Sequence, residues 1–344
     1  MKAVLSLTSP DSLHYERLAS IVHQFDRARV LVIGDLILDE FIWGHVSRIS
    51  PEAPIPVVLE KSKSFMPGGA CNVANNIVAL DGQSSVVGVI GTEGLGRLLL
   101  DLLRERRIDV RGILKDSSRP TTFKTRVIAH HQQVVRIDRE KMHAISPLIH
   151  KRMLGFIQKN ISKFDALCIE DYGKGVITPK LVKEIVRLAR REKKVITVDP
   201  KEGHLLYYRN VTSMTPNHHE ASGLSNIPIH NDVSLKKAGD YLMRELRTEN
   251  LIITLGENGM CLFQKGKKPV KIATLAKDVF DVSGAGDTVI GTYTMALALG
   301  AQPIEAAYLA NCAAGIVVGK VGTATVTRDE LLQYLKQLMK KQFL

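Results

Sequence analysis

Cysteine is scarce in this sequence: four residues occur among 344, and none of them forms a CxxC pair or lies at the spacing of a Cys/His metal site. This distribution indicates neither a disulfide framework nor a zinc site. The sequence therefore favours a reducing compartment, the cytoplasm, and a fold stabilised by a packed core. The composition agrees, because 45% hydrophobic and 24% charged residues are typical of a globular protein.

Long apolar segments are also absent from the sequence. The longest uncharged run, Thr288 to Ile304, is too short to cross a bilayer and contains Gly, Thr and Pro. We interpret this run as a buried helix. At the amino terminus a charged residue, Asp11, precedes any apolar stretch long enough for a secretory signal. We therefore expect no membrane partner.

Acidic residues are outnumbered, with 35 Asp and Glu against 47 Lys and Arg and a net charge of +12. Such an excess raises the hypothesis of nucleic-acid binding. The cations, however, follow amphipathic helical stretches such as Lys180–Lys194, in which Leu181, Ile185 and Leu188 form the apolar stripe. This pattern favours solvated helix faces, so we expect no nucleic-acid partner. A basic surface would still attract phosphorylated small molecules.

Short, almost continuously apolar runs alternate with helical patterns along the chain. Strands covered on both faces have this appearance, and helices between them indicate βαβ units in a mostly parallel sheet. The predicted strands are Arg29–Gly34, Ser85–Ile90, Ala166–Glu170, Val195–Asp199 and Leu251–Leu255. Thr178-Pro179 predicts the start of a helix, with a capping residue before a proline at the first helical position. We predict an α/β fold, one domain over residues 1–344, with helices flanking a central sheet.

Two stretches, residues 41–64 and 121–139, break this alternation. The first contains three prolines, and the second resembles two strands about a turn at His130-His131, to which we assign no role. We expect the two stretches to form one small antiparallel sheet, appended as a lid, that pairs with its copy in a homodimer. The apolar residues that otherwise lack an obvious core are Ile55, Val57, Phe123 and Val127.

The segment Asp281–Thr288 predicts an anion-binding site with a general base. It reads as a loop that becomes a helix, and its glycines, Gly284 and Gly286, let the backbone approach a ligand closely. The first turn of a helix presents N–H groups to an anion. Asp287 would then take a proton from a hydroxyl that attacks a bound phosphoryl group. A Gly-rich turn capped by Asp is the alternative. The sequence contains neither P-loop spacing nor a dinucleotide-binding Gly-x-Gly-x-x-Gly after the first strand.

Asp281–Asp287 resembles the carboxyl-terminal signature of the ribokinase/PfkB family of carbohydrate kinases, and Pro67–Ala74 resembles the family's amino-terminal Gly-Gly signature. Between them, Asn217–Glu220 is similar to the family's Asn-x-x-Glu, and Thr254–Gly259 to its Thr-x-Gly-x-x-Gly. The resemblance covers roughly residues 28–330. It implies a ribokinase-like fold and ATP-dependent phosphorylation of a sugar.

Within this family, three segments resemble the branch that phosphorylates C1 of D-glycero-β-D-manno-heptose 7-phosphate, in ADP-heptose synthesis for the lipopolysaccharide core. These segments are Ser47–Pro54, Asp171–Gly175 and Val318–Thr323. In many bacteria such a kinase is the front part of a bifunctional enzyme with a nucleotidyltransferase domain. Because the sequence ends at Leu344, we expect a stand-alone kinase or the kinase part of such a protein.

The resemblance also implies a role for individual residues. Catalysis would belong to Asp287 as general base, with the backbone of Gly284, Ala285 and Gly286 stabilising the transferring phosphate. The sugar would contact Asp35, Gly68, Gly69 and Asn72, and its phosphate would contact Arg136 and Lys174, with Arg139 as a further candidate. ATP would contact Asn217, Thr254, Gly256, Gly259, Asn311 and Gly315. Mg²⁺ would be held by Asn217 and Glu220, and a monovalent cation such as K⁺ is left open.

Structural alternatives exist for several of these residues. Asp35 has the type and position of a turn residue, although the end of an apolar strand in an open parallel sheet favours ligand contact. Asn217 and Glu220 have the spacing of a helix cap as well as of a metal site. Arg136 and Lys174 have the pattern of surface charges. The residues assigned to adenine would also suit close helix packing.

Three competing functions remain at this stage. The first is phosphorylation of another sugar or sugar phosphate, such as ribose, fructose phosphate or tagatose phosphate, from which the Ser47–Pro54 segment separates the heptose kinases. The second is a non-catalytic sugar-binding regulatory protein, against which the intact Asp287 and its two glycines argue. Nucleic-acid binding is the third.

Overall fold

In the computed structural model of the chain, the described residues are 6–7, 13–130, 132–276, 279–320, 322 and 324–340. These residues form two β-sheets, one of ten strands and one of four, and ten α-helices. His131, Val321 and Thr323, which belong to the predicted turn and to the last heptose-kinase-like segment, lie outside the described residues. None of the described helices combines the length and apolar character needed to cross a membrane.

The central sheet is mostly parallel, as predicted. Its strands are β1 (Ser6–Leu7), β2 (Arg29–Gly34), β5 (Gln83–Ile90), β6 (Asp109–Lys115), β9 (Ala166–Glu170), β10 (Val195–Asp199), β11 (Ser213–Met214), β12 (Asn250–Thr254), β13 (Met260–Gln264) and β14 (Val270–Ile272). Their spatial order is β1-β14-β13-β12-β11-β10-β9-β2-β5-β6. Antiparallel pairing in this sheet is confined to β12 with β13 and β13 with β14. The predicted α/β class, with a mostly parallel central sheet, is confirmed.

Helices cover both faces of the central sheet. They are α1 (Tyr15–His23), α2 (Ala70–Ala79), α3 (Gly94–Glu105), α4 (Pro147–Asn160), α5 (Pro179–Arg191), α6 (His218–Ser225), α7 (Asp232–Leu246), α8 (Ala285–Ala298), α9 (Pro303–Val317) and α10 (Arg328–Lys340). Alternate residues of β2 enter two separate cores: Val30 packs on one face, whereas Leu31 packs on the other. Burial on both faces explains why the strands are continuously apolar.

Two helix predictions have different outcomes. Helix α5 begins after the Thr178 cap, whose side chain accepts a hydrogen bond from Leu181, as the Thr-Pro pair predicts. The uncharged run Thr288 to Ile304, in contrast, is wrong as a single buried helix, because α8 ends at Ala298 and α9 begins at Pro303. Gly300, with φ of 80°, and Pro303 end one helix and start the next.

The four-stranded sheet has the order β4-β3-β7-β8, with β3 (Leu36–Ile49), β4 (Pro56–Gly69), β7 (Thr122–Ala129) and β8 (Gln132–Arg139). Its strands extend beyond the predicted stretch 41–64 on both sides. The prediction of a purely antiparallel sheet is wrong, because β3 and β7 pair in parallel. Both strands leave the carboxyl edge of the central sheet, one after β2 and the other after β6, so they run in the same direction.

Substitution of Gly34, at the end of β2, tests how closely β2 must approach β9. A Cβ at this position would overlap the backbone carbonyl of Glu170 on β9, so Gly34→Ala should lower the free energy of unfolding by about 1–3 kcal/mol. Gly155, inside α4, is the control, because an added Cβ there meets nothing within 4 Å. Gly155→Ala should raise stability by up to about 1 kcal/mol. Chemical denaturation measures both, and a neutral Gly34→Ala would contradict the close approach.

Candidate active site

Acidic side chains converge where the parallel strands of the central sheet end. Asp35 follows β2, Glu170 ends β9 and Asp199 ends β10, while Asp287 lies in the first turn of α8. The carboxyl ends of parallel strands share one edge of the sheet, where open α/β folds bind ligands. Asp35 and Glu170 are each 1% exposed and Asp287 is 5% exposed, so their carboxylates are almost fully removed from bulk water.

Asp287 is held by two donors. Its Oδ2 accepts a hydrogen bond from Nδ2 of Asn72 at 2.5 Å, and its Oδ1 accepts one from the hydroxyl of Tyr172 at 3.2 Å. Burial raises the pKa of Asp287 to about 6, while the hydrogen bonds from Asn72 and Tyr172 oppose that rise. The carboxylate is therefore mostly ionised at neutral pH and able to accept a proton.

The amino terminus of α8 lies at the glycine motif, as the sequence predicts. Gly284 precedes the helix in the left-handed conformation, with φ of 79°, which favours glycine. The N–H of Ala285 donates to the carbonyl of Val282 at 3.2 Å. The amides of Gly286 and Asp287 lie in the first helical turn, where N–H groups have no intrahelical acceptor and the helix dipole is positive. The amides available to an anion are therefore those of Gly286 and Asp287 rather than that of Ala285.

A cavity of about 450 Å³ opens beside this amino terminus. Its lining includes five of the residues predicted to contact ATP, namely Thr254, Gly256, Gly259, Asn311 and Gly315. Apolar residues cover much of the remaining wall, among them Met260, Val279, Val289 and Val318. The cavity also reaches Gly286. It combines an apolar compartment for a flat ring with a helix terminus for phosphates.

Asn217 and Glu220 form the helix cap that the sequence left as an alternative. Oδ1 of Asn217 accepts from the backbone N–H of Glu220 at 3.0 Å, and Oε2 of Glu220 accepts from the N–H of Asn217 at 2.8 Å. The cap leaves the Glu220 carboxylate close enough to Asp199 to raise the pKa of the latter. Asn217 also forms an isolated parallel bridge with Thr254, which places the cap beside the cavity.

A buried cluster of carboxylates was not predicted as a site. Glu170, Asp199 and Asp287 each present an oxygen within 4.8 Å of the others. Burial, followed by repulsion from neighbouring carboxylates, raises the pKa of both Glu170 and Asp199 well above the usual range. Oε2 of Glu170 has no hydrogen-bond partner among the described residues. A charged residue ending a continuously apolar strand was the sequence signal that could have identified Glu170 and Asp199.

Asp35 binds the loop after β9. Its carboxylate accepts backbone hydrogen bonds from Tyr172 at 2.9 Å, Lys174 at 3.0 Å and Val176 at 3.2 Å. Burial raises the pKa of Asp35 to about 6, against the effect of these bonds. The structural role of Asp35 is therefore to bind a loop that is distant in sequence rather than a local turn, and any contact with a sugar would be additional.

The glycine pair brings the small sheet close to the acidic edge. A Cβ on Gly68 would overlap the carboxylate of Asp39, and a Cβ on Gly69 would lie 2.5 Å from the backbone carbonyl of Asp35. Asn72 follows in the first turn of α2. The predicted sugar-binding residues Asp35, Gly68, Gly69 and Asn72 are therefore assembled around Asp287.

Two of the three predicted phosphate-binding cations have an acidic partner. Nε of Arg136 lies 2.9 Å from Oδ1 of Asp138, and Nζ of Lys174 lies 2.5 Å from Oε1 of Glu140. Arg139 is exposed at the end of β8. Lys124 and Arg126 on β7, which the sequence analysis did not single out, are also near the site: Arg126 pairs with Asp39, and Nζ of Lys124 lies 5.6 Å from the ring centroid of Tyr172.

A family model described as pfkB family carbohydrate kinase matches residues 27–330. Curated proteins named bifunctional protein HldE are similar in sequence. The Geobacter sulfurreducens protein is 46% identical over 302 residues, covering 88% of this chain and 62% of its own length. The Desulfatibacillum aliphaticivorans protein is 45% identical over 320 residues, covering 92% and 65%. This chain thus spans less than two thirds of the length of these relatives.

Solved structures share the fold at low sequence identity. Arabidopsis thaliana ribokinase complexed with ribose and ATP has a TM-score of 0.72 at 18% identity, covering 90% of this chain and 99% of that one. Escherichia coli phosphofructokinase-2 in complex with potassium has a TM-score of 0.76 at 19% identity, covering 91% and 99%.

Removal of the Tyr172 hydroxyl should raise the pKa of Asp287, because its hydrogen bond favours the ionised carboxylate. A bond to a charged group is worth about 1.5–3 kcal/mol at best, so for a 3.2 Å contact we expect Tyr172→Phe to raise the pKa by about one unit. The carboxyl resonance of Asp287 in a ¹³C NMR titration reports this pKa. Tyr207→Phe is the control, since the Tyr207 ring stacks on His204 instead. An unchanged midpoint in Tyr172→Phe would show that the bond does not stabilise the carboxylate.

Proposed function

Because the chain belongs to the pfkB family of carbohydrate kinases, we propose that it transfers the γ-phosphoryl group of ATP to C1 of D-glycero-β-D-manno-heptose 7-phosphate. The product would be the 1,7-bisphosphate, in ADP-heptose synthesis for the lipopolysaccharide core. The observation that carries the proposal is the buried carboxylate of Asp287 at the amino terminus of α8, between the cavity and the small sheet. The three heptose-kinase-like segments support the choice of sugar.

In this reaction Asp287 would be the general base. Its carboxylate would accept the proton of the sugar hydroxyl as that oxygen forms a bond to the γ-phosphorus, while the bond from phosphorus to the bridging oxygen of ADP breaks. A pKa of about 6 keeps Asp287 ionised at neutral pH. Amides at the start of α8 would stabilise the charge on the transferring group, since phosphoryl transfer depends mainly on positioning and electrostatics.

The 450 Å³ cavity supports ATP as the phosphoryl donor. Its apolar wall suits adenine, and its extension to Gly286 would direct the triphosphate toward the helix terminus. The side-chain amide of Asn311 donates to the carbonyl of Ala273 at 2.7 Å, so it stabilises the wall of the cavity. The role of Asn311 would therefore be to shape the cavity rather than to read the base through that amide.

The carboxylate cluster fits the Mg²⁺ that accompanies ATP. Mg²⁺ prefers oxygen ligands and retains several waters, and the unpartnered Oε2 of Glu170 lies in a group of convergent carboxylates. Asp199 and Glu170 would hold the ion, with Glu220 beyond Asp199 and Asn217 as the cap of its helix. Bound there, Mg²⁺ would neutralise phosphate charge. A monovalent cation such as K⁺ remains a prediction.

We also propose a cytoplasmic location. All four cysteines are buried and unpaired, a state that a reducing compartment maintains. The acceptor and donor proposed here are phosphorylated metabolites.

The small sheet supports a homodimer. Twelve large apolar residues are exposed in the described chain, and six of them lie on this sheet or its turn: Ile49, Ile55, Leu59, Val134, Val135 and Ile137. Strand register places Val135 and Ile137 on the face opposite Lys124 and Arg136. Concentrated apolar exposure of this kind marks association surfaces. A second copy of the same sheet would cover it without closing the site.

The homodimer predicts a specific change in solution mass. The protein should sediment as a dimer at micromolar concentration, and Ile137→Glu should shift it toward monomer, because a charge would be buried in the interface. Val233→Glu is the control, since Val233 is also exposed but lies on α7. A wild-type protein that is monomeric at micromolar concentration would refute the dimer.

Asp287→Asn tests the base directly, because it keeps the shape of the side chain but removes the proton acceptor. Turnover should fall by about 10²- to 10⁴-fold, while the affinities for an ATP analogue and heptose 7-phosphate change little. ADP release measures the rate, and calorimetry measures the affinities separately. A variant that binds both ligands normally and turns them over near the wild-type rate would falsify the assignment.

The same assay with a substrate panel tests the sugar. Heptose 7-phosphate should be turned over far better than ribose, fructose phosphates or tagatose 6-phosphate, with a bisphosphate as product. A preference for another sugar would change the proposed substrate, but the assignment as a sugar kinase would stand. Sugar binding without ADP release would instead indicate a non-catalytic sugar-binding protein.

A further inference from the structure

Lys124 is a half-buried cation on the face of the small sheet that overlies the acidic edge. Its Nζ lies 5.6 Å from the ring centroid of Tyr172, whose hydroxyl contacts Asp287 at 3.2 Å. Burial lowers the pKa of Lys124, and the nearby charge of Lys174 lowers it further. Desolvation and a neighbouring like charge both oppose the ammonium form. Lys124 therefore carries its charge at a cost in the ligand-free protein.

Three carboxylates lie near Lys124, and each is engaged by another cation. Strand register places Asp39 on β3 and Asp138 on β8 directly beside Lys124, with Glu140 just beyond β8. Their partners are, respectively, Arg126, Arg136 and Lys174. Within the described residues, the ammonium of Lys124 has no ion pair or hydrogen bond. Asp138, Asp39 and Glu140 oppose the lowering of its pKa but do not offset it, so an anion from a ligand would stabilise a charge that is only partly compensated.

We propose that Lys124 binds the phosphate that the acceptor sugar already carries, so that the small sheet selects a sugar phosphate over a free sugar. This inference rests on the proposed function. The ligand class is a phosphate monoester attached to a polyhydroxylated chain. Its hydroxyl end lies at Asp287 and its phosphate end at the small sheet, with the Tyr172 side chain joining the two positions.

The transferring phosphoryl group is a less suitable partner for Lys124. That group has its own binding elements, the amides at the start of α8 on the side of the nucleotide cavity. Lys124 instead projects from the small sheet, whose Gly68-Gly69 end contributes to the sugar side. A ligand reaching Lys124 therefore enters from the acceptor side of Asp287.

This assignment changes the roles expected for Lys174 and Arg136. Both would have to exchange an existing carboxylate partner for the phosphate, whereas Lys124 would not. Lys174 is further constrained because its backbone N–H binds Asp35 and its carbonyl accepts from Arg119 at 2.8 Å. Lys174 acts mainly as part of the loop that carries Tyr172.

Lys124→Met tests the proposal, because methionine keeps an unbranched side chain but removes the charge. KM for heptose 7-phosphate should rise by about ten- to a hundredfold, the usual effect of losing a charge-assisted contact. KM for ATP and kcat should stay within about threefold. The preference for heptose 7-phosphate over heptose, measured as a ratio of kcat/KM, should fall by the same factor. The unfolding temperature without ligand should stay equal or rise, since a half-buried charge that is only partly compensated is removed.

Lys63→Met is the matched control. Lys63 lies on β4 of the same sheet, and its Nζ is 5.9 Å from the ring centroid of Phe65, so the variant loses a similar cation over an aromatic ring. Register places Lys63 on the other face, opposite Ile42 rather than Phe41. It should leave the KM values for both sugars unchanged.

The other outcomes can be distinguished from one another. A fall in kcat at constant KM would place Lys124 on the transferring phosphoryl group. An equal loss with heptose and heptose 7-phosphate would indicate a structural role. If the wild type uses another sugar phosphate, the comparison is made with that compound and its dephosphorylated form, and only the choice of heptose fails. A wild type that phosphorylates free sugars alone would overturn both the choice of substrate and the role of Lys124, but not the kinase.

Discussion

Hydrogen bonding by the carboxylate of Asp35 is the interaction on which the site depends. By accepting the N–H groups of Tyr172, Lys174 and Val176, it converts the irregular segment after β9 into a fixed loop. That loop delivers the Tyr172 hydroxyl to Asp287 and the Tyr172 ring to Lys124. A side chain at the end of one strand therefore positions both the hydroxyl that contacts Asp287 and the ring that lies beside Lys124. A buried carboxylate is better tolerated in this arrangement, because three fixed donors bind its two oxygens.

The central sheet could be predicted from sequence because its strands are buried on both faces. Arg29–Gly34, Ala166–Glu170 and Val195–Asp199 have the bounds that their apolar runs indicate. The small sheet was harder to predict, because the periodicity of apolar residues identifies strands but does not show which strands pair. The parallel pairing of β3 with β7 joins residues about 85 positions apart, and it follows only from the edge at which both strands leave the central sheet.

The site, likewise, could be predicted only in part from the sequence. The glycine motif locates Asp287 because two glycines before a helix have a local geometric reason. Glu170 and Asp199 each appear in the sequence as one acid at the end of a strand, and their convergence depends on the sheet. Lys124 alternates with its neighbours like any lysine of a strand, so only the register of β7 shows which face it occupies. For Asn217 and Glu220, a cap and a metal site require the same spacing, and the sequence cannot separate them.

The short connections of the small sheet have a mechanical consequence. A single residue, Asp35, separates β2 from β3, and β4 ends immediately before α2, so both long strands are anchored at their base beside Asp35. Each has 14 residues, or a length of about 46 Å at roughly 3.3 Å per residue. The small sheet is thus attached beside Asp35 and extends a long way from this attachment. A tilt of about 5° at the base would displace the far tip by about 4 Å over this length, so a small change of angle beside Asp35 is enlarged at the Ser47–Pro54 turn.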